Sequence, residues 1–377
     1  MKTGLYIHIP FCISKCTYCD FFSIPAAGVP EDYIEALEKE IEIKTRDVEI
    51  ETVYIGGGTP SLLSKNQLNR ICNAIYGKDK KGSQSIEEFT IEVNPDDVTQ
   101  ELLETLSKLP VTRISCGIQS FSQKCLSYCK RRAGTQENFN ALDNFKKYWK
   151  KNLSLDFIAA VPFETEKSMI EGLSVAVKSG ADHISFYSLT IEEETPLGKD
   201  YAHGRLDYDF EKADEMWIKG RDFLEKNGFE QYEVSNFCRP GYQCKHNLLY
   251  WNHKNYLGCG SGAAQSLYFD DGSAERKQNT CEIERYIESV LKTGISEGTT
   301  ELVDGKASRF EFFMMGLRKL KGISGHDYKS IFHEELPKEF ILKMQDWEKK
   351  GLASINGDFY ALTRDGILFL NTFLSEL

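Results

Sequence analysis

The sequence contains no long hydrophobic run, and its composition is short of positive charge. No stretch approaches the roughly 20 consecutive apolar residues that a membrane-spanning helix requires. The 377 residues include 46 Lys and Arg against 57 Asp and Glu, for a net charge of -11. Such a chain has no general attraction for nucleic acid or anionic lipid. We therefore expect no membrane segment and no nucleic acid partner.

The amino terminus also lacks the pattern of a secretion signal. Its apolar run is interrupted by His8 and Pro10 and is followed at once by cysteines, whereas a signal peptide has an unbroken apolar core. We expect a cytoplasmic location, where the eleven cysteines stay reduced and serve as packing residues or metal ligands. Six of them lie in ordinary helix or strand patterns and are predicted to be packing residues: Cys72, Cys116, Cys125, Cys129, Cys259 and Cys281.

Three other cysteines stand together in a Cys-x-x-x-Cys-x-x-Cys spacing. Cys12, Cys16 and Cys19 follow directly after an apolar, β-prone run, and soft thiolate ligands suit an iron-sulfur cluster or zinc. A four-iron cluster or a structural zinc site normally has four protein ligands, so three cysteines leave one position open for a small molecule. The alternative is a zinc knuckle completed by His8 or by a distant cysteine.

Strand-like and helix-like patterns alternate through the first 228 residues. The strand-like runs are 4–9, 51–55, 88–93, 112–118, 153–159 and 183–188, each followed by an amphipathic helical pattern. Strands separated by helices pair in parallel, in either a doubly wound sheet or a barrel. Because active residues of parallel barrels collect where the strands end, this position selects Gly57, Gly58, Thr59, Glu92, Gln119 and Asp156. A glycine triplet after a strand is also typical of a simple tight turn.

These motifs resemble the radical S-adenosylmethionine (SAM) family, and within it the coproporphyrinogen oxidase-like branch and the HemW-type haem chaperones. The matching stretches are 5–12, 54–60, 91–95, 117–121, 187–193 and 316–318. The resemblance implies an α/β fold with a partial (β/α)6 barrel, and a 4Fe-4S cluster on Cys12, Cys16 and Cys19. It also implies a SAM site formed by Tyr6, Gly57, Gly58, Thr59, Glu92, Gln119, Arg131 and Asp156.

The alternation stops near residue 229, where a predicted strand at 232–236 leads into an irregular stretch. Within it, His246-Asn-Leu-Leu-Tyr-Trp251 matches a His-Asn-x-x-Tyr-Trp signature of the HemW-type branch. Imidazole is a common axial ligand of haem iron, and aromatic rings give a flat macrocycle a surface to lie against. The resemblance therefore implies haem, as cargo, bound by His246, Tyr250 and Trp251. The alternative is a histidine that only packs, with His253, His8 or Cys244 as other candidate ligands.

The sequence predicts three segments. Residues 1–228 form the barrel with the cluster and SAM sites, 229–306 form an extension with the histidine motif, and 307–377 form a smaller C-terminal α+β domain. In the last segment, 352–361 is predicted to be a hairpin that turns at Asn356-Gly357, with Thr363 capping a final helix. This winged-helix-like domain resembles the C-terminal domain of the oxidase branch. Its lysines alternate with glutamates, as on a solvated face.

Two departures from the oxidase pattern favour a haem chaperone that passes haem to an acceptor protein. The oxidase loop continues to a fourth cysteine where this chain has Phe21, and only five residues precede Tyr6. The alternatives are an oxygen-independent coproporphyrinogen III oxidase and a radical SAM haem-modifying enzyme, so enzyme activity is left undecided.

Two family histidines, near Ala133 and Ala264, are missing. The acceptor is unknown, and peripheral contact with membrane-bound acceptors remains open.

Overall fold

Six parallel strands form the centre of the main sheet. The computed structural model describes residues 2–77 and 86–377. The central strands pair in the order β1-β4-β5-β6-β7-β8, and the short β2 and β3 pair with each other at the base of the cysteine loop. The predicted strand-helix units are confirmed. The strands of this part are β1 (Lys2–Ile9), β2 (Phe11–Cys12), β3 (Ile24–Pro25), β4 (Glu49–Gly57), β5 (Glu88–Val93), β6 (Arg113–Gln119), β7 (Asn152–Ala159) and β8 (His183–Ser188).

Helices connect these strands, and side chains cap most of their amino ends. The expected capping box is present: Ser64 accepts a hydrogen bond from the Gln67 backbone, and the Gln67 side chain accepts one from the Ser64 backbone. The expected interruption near Gly134 separates α4 from α5. The helices are α1 (Glu31–Lys44), α2 (Lys65–Tyr76), α3 (Gln100–Lys108), α4 (Gln123–Tyr128), α5 (Thr135–Tyr148), α6 (Glu166–Lys178), α7 (Pro196–Ala202) and α8 (Phe210–Lys226).

The segment from 229 to 306 adds strands to both edges of the same sheet. β10 pairs antiparallel with β8, while β11 pairs parallel with β1 and leads into the antiparallel strands β12, β13 and β14. Residues of this segment share the barrel's hydrophobic core, so its boundary at 228 stays a prediction. Its elements are β9 (Glu230–Gln231), β10 (Asn236–Cys238), α9 (Lys245–Trp251), β11 (Tyr256–Cys259), β12 (Ala264–Tyr268), β13 (Ala274–Asn279), α10 (Ile283–Thr293) and β14 (Gly298–Val303).

The prediction of a strand at 232–236 is wrong. The chain reverses direction there, because the Tyr232 backbone N–H bonds to the Asn236 carbonyl at 3.1 Å and the Ser235 N–H bonds to the Glu233 carboxylate at 3.1 Å. Residues 232–235 thus form the turn between β9 and β10 and not a continuous strand.

One buried carboxylate joins this segment to the barrel. Glu40, on α1, is fully buried. It accepts hydrogen bonds from the Gly260 N–H at 2.8 Å, the Asn279 amide at 2.9 Å and the Tyr286 hydroxyl at 2.7 Å. Lys44 pairs with it from the next turn at 2.8 Å. Four donors around one carboxylate satisfy its buried charge and tie three later elements to the first helix.

Replacing Glu40 with alanine is expected to destabilise the fold by about 3 to 5 kcal/mol, because it removes the acceptor of three buried donors and the counter-charge of the partly buried Lys44. Urea unfolding measures this as a lowered midpoint. Glu42→Ala is the matched control, since Glu42 lies exposed on the same helix. Equal midpoints for the two variants would contradict the anchoring role of Glu40.

The last seventy residues have a hydrophobic core of their own, built around Phe313, Tyr328 and Phe340. The predicted hairpin is confirmed with its turn one residue later, at Gly357 and Asp358, and Gly357 has a positive φ of 60° that favours glycine. The Thr363 hydroxyl accepts from Gly366 N–H at 3.0 Å, capping a 3-10 turn. The elements are α11 (Gly305–Gly316), β15 (Ile323–Ser324), α12 (Gly325–Phe332), α13 (Lys338–Lys349), β16 (Ala353–Asn356), β17 (Phe359–Leu362) and α14 (Leu370–Ser375).

Among the described residues, no helix is both long enough and apolar enough to cross a membrane. Five of the six cysteines predicted to pack are buried, but Cys281 is exposed. That prediction is wrong because Cys281 falls in the turn between β13 and α10, where the chain runs over the surface.

Candidate functional site

A cavity of about 500 Å³ opens at the carboxyl ends of the central strands. Its volume falls within the range of about 300 to 1,000 Å³ that is usual for small-molecule sites. Strand ends and the cysteine loop supply its walls, as expected for a parallel barrel. Ten residues selected from the sequence line it together: Cys12, Cys16, Cys19, Gly57, Gly58, Thr59, Glu92, Gln119, Arg131 and Asp156.

The cysteine loop is held over this cavity by backbone hydrogen bonds. At its base the Ala26 N–H bonds to the Cys12 carbonyl at 2.7 Å, and at its tip the Thr17 N–H bonds to the Cys129 carbonyl at 3.1 Å. The Leu197 N–H, at the start of α7, bonds to the Thr17 carbonyl at 2.9 Å. The loop is therefore fixed from three directions before any metal binds.

The donor set of the loop fits an iron-sulfur cluster. The Thr59 hydroxyl donates to the Cys12 sulfur at 3.3 Å, and the Arg131 guanidinium donates to the Cys16 sulfur at 3.6 Å. Hydrogen bonds to cysteine sulfurs are a regular feature of iron-sulfur sites. Within residues 2–77 and 86–377, no three His, Cys, Asp or Glu side chains converge on a single ion. Thiolates that each bind a different iron of a cluster need no such convergence.

His8 gives no support to the alternative of a zinc knuckle. Its Nδ1 bonds to the Tyr6 hydroxyl at 2.9 Å, and its Nε2 bonds to the Phe22 carbonyl at 2.9 Å. The ring packs beneath Gly57, where an added Cβ would lie 2.5 Å from the imidazole. Gly57 also has a φ of 110°, so only glycine fits between His8 and the cavity. The glycine turn thus brings bare backbone to the cavity wall.

Two carboxylates line the cavity beside the glycine turn. Glu92 accepts the Tyr54 hydroxyl at 2.8 Å and the Gly57 N–H at 3.2 Å. Burial, together with the negative charge of Asp156, raises the pKa of Glu92 to about 7. Asp156 accepts the Ser115 hydroxyl at 2.8 Å, and burial raises its pKa as well. Neither carboxylate has a cationic side chain within 4 Å among the described residues, so together they suit a positively charged ligand.

Polar side chains complete the rim between the carboxylates and the cysteines. The Arg131 guanidinium donates to the Asn94 amide oxygen at 3.1 Å and to the Gly117 carbonyl at 2.6 Å. Gln119 has a φ of 66°, in the left-handed region that non-glycine residues avoid, and a register shift between Gly117 and Gln119 interrupts the pairing of β6 with β7. Strain of this kind is typical of functional sites.

Tyr6 was expected in the SAM site but does not line the cavity. Its hydroxyl is used by His8, and its ring stacks on Tyr54 with centroids 6.3 Å apart. Tyr6 and Tyr54 belong to the middle of β1 and β4. Tyr6 and Tyr54 are partners in the register of β1 and β4, but of the two only Tyr54 lines the cavity.

The histidine motif also lies outside the cavity. His246 is 1% exposed; its Nδ1 bonds to the Thr52 hydroxyl at 2.8 Å and its Nε2 to the Tyr250 hydroxyl at 2.8 Å. Burial lowers the pKa of His246 to about 3, so the ring is neutral. Its centroid lies 5.3 Å from that of Tyr54. Both ring nitrogens are thus occupied beneath the cavity floor, and Trp251 lies at the far end of α9.

A buried ion pair holds the start of α9 against the amino ends of β5 and β6. Glu88 accepts the His246 N–H at 3.0 Å and the Lys245 N–H at 3.2 Å, and it pairs with Arg113 at 3.1 Å. Arg113 in turn donates to the carbonyls of Tyr242 and Gln243. The helix with the motif therefore closes the end of the barrel opposite the cysteine loop.

Sequence reasoning missed several residues of the cavity. Tyr54, Asn94, Ser115 and Tyr187 all line it. Side chains of a strand alternate between its two faces, so residues two positions from a selected residue share its face. That rule finds Asn94 from Glu92.

Comparisons with known proteins agree with this geometry. A model of the radical SAM superfamily matches residues 6–174. The "Heme chaperone HemW" of Bacillus subtilis (strain 168) is 33% identical over 386 residues, covering 100% of both chains. That of Escherichia coli (strain K12) is 31% identical over 377 residues, covering 98% of this chain and 97% of the relative. The structure of coproporphyrinogen III oxidase (HemN) from Escherichia coli superposes with a TM-score of 0.80 at 18% identity, covering 99% of this chain and 89% of that one. The last match concerns the fold, and it confirms the expected α/β architecture.

Proposed function

This chain belongs to the HemW family of haem chaperones, and on that premise we propose that it binds haem and transfers it to an acceptor protein. The observation that carries the proposal is the similarity to those chaperones along the entire chain. The eleven cysteines, all free thiols, support a cytoplasmic site of action. The proposed acceptors include membrane-bound proteins, which the chaperone would reach by peripheral contact.

The proposal includes a 4Fe-4S cluster on Cys12, Cys16 and Cys19 and a SAM molecule beside it. When bound, the cluster would supply a redox-active iron with an open position for SAM. The chain's own residues position the ligand: Glu92 and Asp156 face its positively charged part, while the backbone at Gly57 and Gly58 approaches it closely. Arg131 holds the carboxyl end of β6 and the Cys16 sulfur at once.

Phe21 supports the chaperone over the oxidase alternative. It takes the place where the oxidase pattern has a fourth cysteine, and it is 71% exposed at the rim of the cavity. The proposed chaperone therefore has no fourth thiol at this position.

The haem is proposed to contact the motif helix α9 at Trp251, with His246 as a positioning residue. The hydrogen bond from the His246 ring to Thr52 holds α9 against β4, while the bond to Tyr250 lies within α9. Ligation of haem iron by the His246 Nε2 atom would require the Tyr250 contact to break. This geometry favours Trp251 over His246 as the contact to the macrocycle. The Tyr250 hydroxyl holds the His246 imidazole in place.

Haem titration of the wild type and of His246→Ala tests this arrangement. We expect the variant to keep the absorption maximum of the wild-type haem complex, while its urea midpoint falls by an amount corresponding to about 2 to 4 kcal/mol, because a buried ring with two hydrogen bonds is lost. His203→Ala, at an exposed histidine, is the matched control. A shifted absorption maximum in His246→Ala alone would return the axial role to His246.

The function itself is tested on the same preparation. Reconstituted protein is incubated anaerobically with SAM and coproporphyrinogen, beside a haem titration and a transfer assay to an apo-haem protein. Haem binding and transfer without decarboxylated product support the chaperone. Decarboxylated coproporphyrinogen would overturn it in favour of the oxidase.

A further inference from the structure

A row of polar side chains crosses the central strands two residues before Asp156 on β7. Ser115, Ser154 and His183 are register partners on β6, β7 and β8, and both Ser154 and His183 are buried. Asp156 lies on the same face of β7 as Ser154, because side chains two residues apart share a face. Of these two β7 residues, Asp156 lines the cavity. The buried row therefore lies directly behind a residue of the cavity wall.

Four hydrogen bonds connect Asp156 to the residue that precedes α9. The Ser154 hydroxyl donates to the Asp156 carboxylate at 3.3 Å and lies 2.7 Å from Nδ1 of His183. The Nε2 atom of His183 lies 2.9 Å from the Tyr232 hydroxyl. The Tyr232 oxygen accepts the Cys244 backbone N–H at 3.2 Å. We call Ser154, His183 and Tyr232 the histidine relay.

The Cys244 end fixes the direction of every hydrogen bond in the relay. A backbone N–H can only donate, so the Tyr232 oxygen is an acceptor there. Burial lowers the pKa of His183 well below its ordinary range, so the ring is neutral and carries one hydrogen. With that hydrogen on Nε2, the Tyr232 hydroxyl hydrogen would have no acceptor among the described residues. The network therefore assigns the hydrogen to Nδ1, which donates to Ser154 and leaves the Ser154 hydroxyl hydrogen for the Asp156 carboxylate.

We propose that His183 is a positioning residue of the SAM site, which acts through Ser154 to hold the Asp156 carboxylate in place for the positively charged ligand. The inference rests on the proposed function, because it takes the ligand of the cavity to be SAM. Burial raises the pKa of Asp156, and hydrogen bonds from three hydroxyls oppose that rise, those of Ser185, Ser115 and Ser154. Loss of a donor disfavours the ionised carboxylate, so the positively charged ligand is bound less tightly.

The SAM affinity of reconstituted protein, measured by equilibrium dialysis, tests the relay. His183→Leu removes both ring nitrogens and is expected to weaken SAM binding by about three- to tenfold, as the loss of one hydrogen bond predicts. His183→Asn is the conservative variant, because its amide NH2 takes the place of Nδ1–H and donates to Ser154. It should restore most of the wild-type affinity, which a purely structural role of the ring would not explain.

His253→Leu is the matched control. His253 is also buried, and its Nε2 lies 3.1 Å from the Ser308 hydroxyl, but it is not among the residues that line the cavity. This variant should bind SAM like wild type. Spectra of protein labelled with nitrogen-15 in its histidine rings give a second readout, with the His183 signal assigned by its absence in His183→Asn. We expect the ring hydrogen of His183 on Nδ1.

Equal SAM affinity in His183→Leu and wild type, or a ring hydrogen on Nε2, would overturn the relay and leave the SAM site in place. Equal weakening in His183→Leu and His183→Asn would assign the effect to packing and would also overturn it. No SAM binding by wild type would instead overturn the proposed SAM site. Cluster content and urea midpoints are determined for each variant. Ser154→Ala removes only the hydroxyl, should weaken SAM binding to the same extent, and decides the matter if His183→Leu fails to fold.

Discussion

Cys16→Ala is expected to lose most of the iron and sulfide that the wild type takes up during anaerobic reconstitution, together with the visible absorbance of the cluster. Two thiolates remain, and a four-iron cluster normally has protein ligands on most of its irons. The Arg131 guanidinium would also lose its contact with the sulfur, made at 3.6 Å in the wild type. Iron and sulfide assays with absorption spectra measure the effect.

Cys72→Ala is the matched control, because Cys72 is a buried thiol on α2 away from the cavity. It should reconstitute like wild type. Unchanged iron and sulfide in Cys16→Ala would exclude a cluster on this loop. Comparing the two variants separates the effect of losing a cluster ligand from the effect of losing any cysteine.

Glu92→Ala is expected to weaken SAM binding by about 10- to 100-fold, since we propose that the carboxylate accepts a charge-assisted hydrogen bond from the ligand. The pH dependence gives a second signature. Burial raises the pKa of Glu92 to about 7, so its carboxylate ionises across neutral pH. SAM binding by the wild type should therefore strengthen as pH rises from about 6 to about 8, and Glu92→Gln should flatten this dependence.

Equilibrium dialysis of reconstituted protein measures the affinity, with cluster content determined on each sample. Glu87→Gln serves as the control, because Glu87 precedes the same strand but pairs with Lys2 and Lys245 at the surface. Equal SAM affinity in Glu92→Ala and wild type would remove Glu92 from the site. A retained pH dependence in Glu92→Gln would assign the titration to another group.

Residues whose role depends on position along one strand or loop were predictable. Cys12, Cys16 and Cys19 lie within one short loop, and Gly57, Glu92 and Asp156 lie at or near strand ends. Parallel strands separated by helices bring those ends to one edge of the sheet, so the shared cavity follows from order along the chain. Asn94 was within reach of the same reasoning, since it lies two residues after Glu92 and strands have a two-residue period.

Residues whose role depends on packing between distant elements were not predictable. The haem role of His246 stays a prediction, but the bond from its Nδ1 atom to Thr52 could not be read from the sequence, because it depends on the packing of α9 against β4. Cys281 was assigned to the core, and a turn places it at the surface. Hydrogen bonds and burial of this kind arise only when separate elements meet.

The sequence by itself therefore determined the cluster loop, the alternating fold and the ring of strand-end residues, because each depends on short-range spacing and on the rules of parallel strand connection. Only the tertiary structure decided that Tyr54 lines the cavity while its strand partner Tyr6 does not, and that the His246 ring is buried and hydrogen-bonded to Thr52 on β4. The physical reason is that a side chain's free hydrogen-bonding groups are known only after its neighbours from other elements are in place.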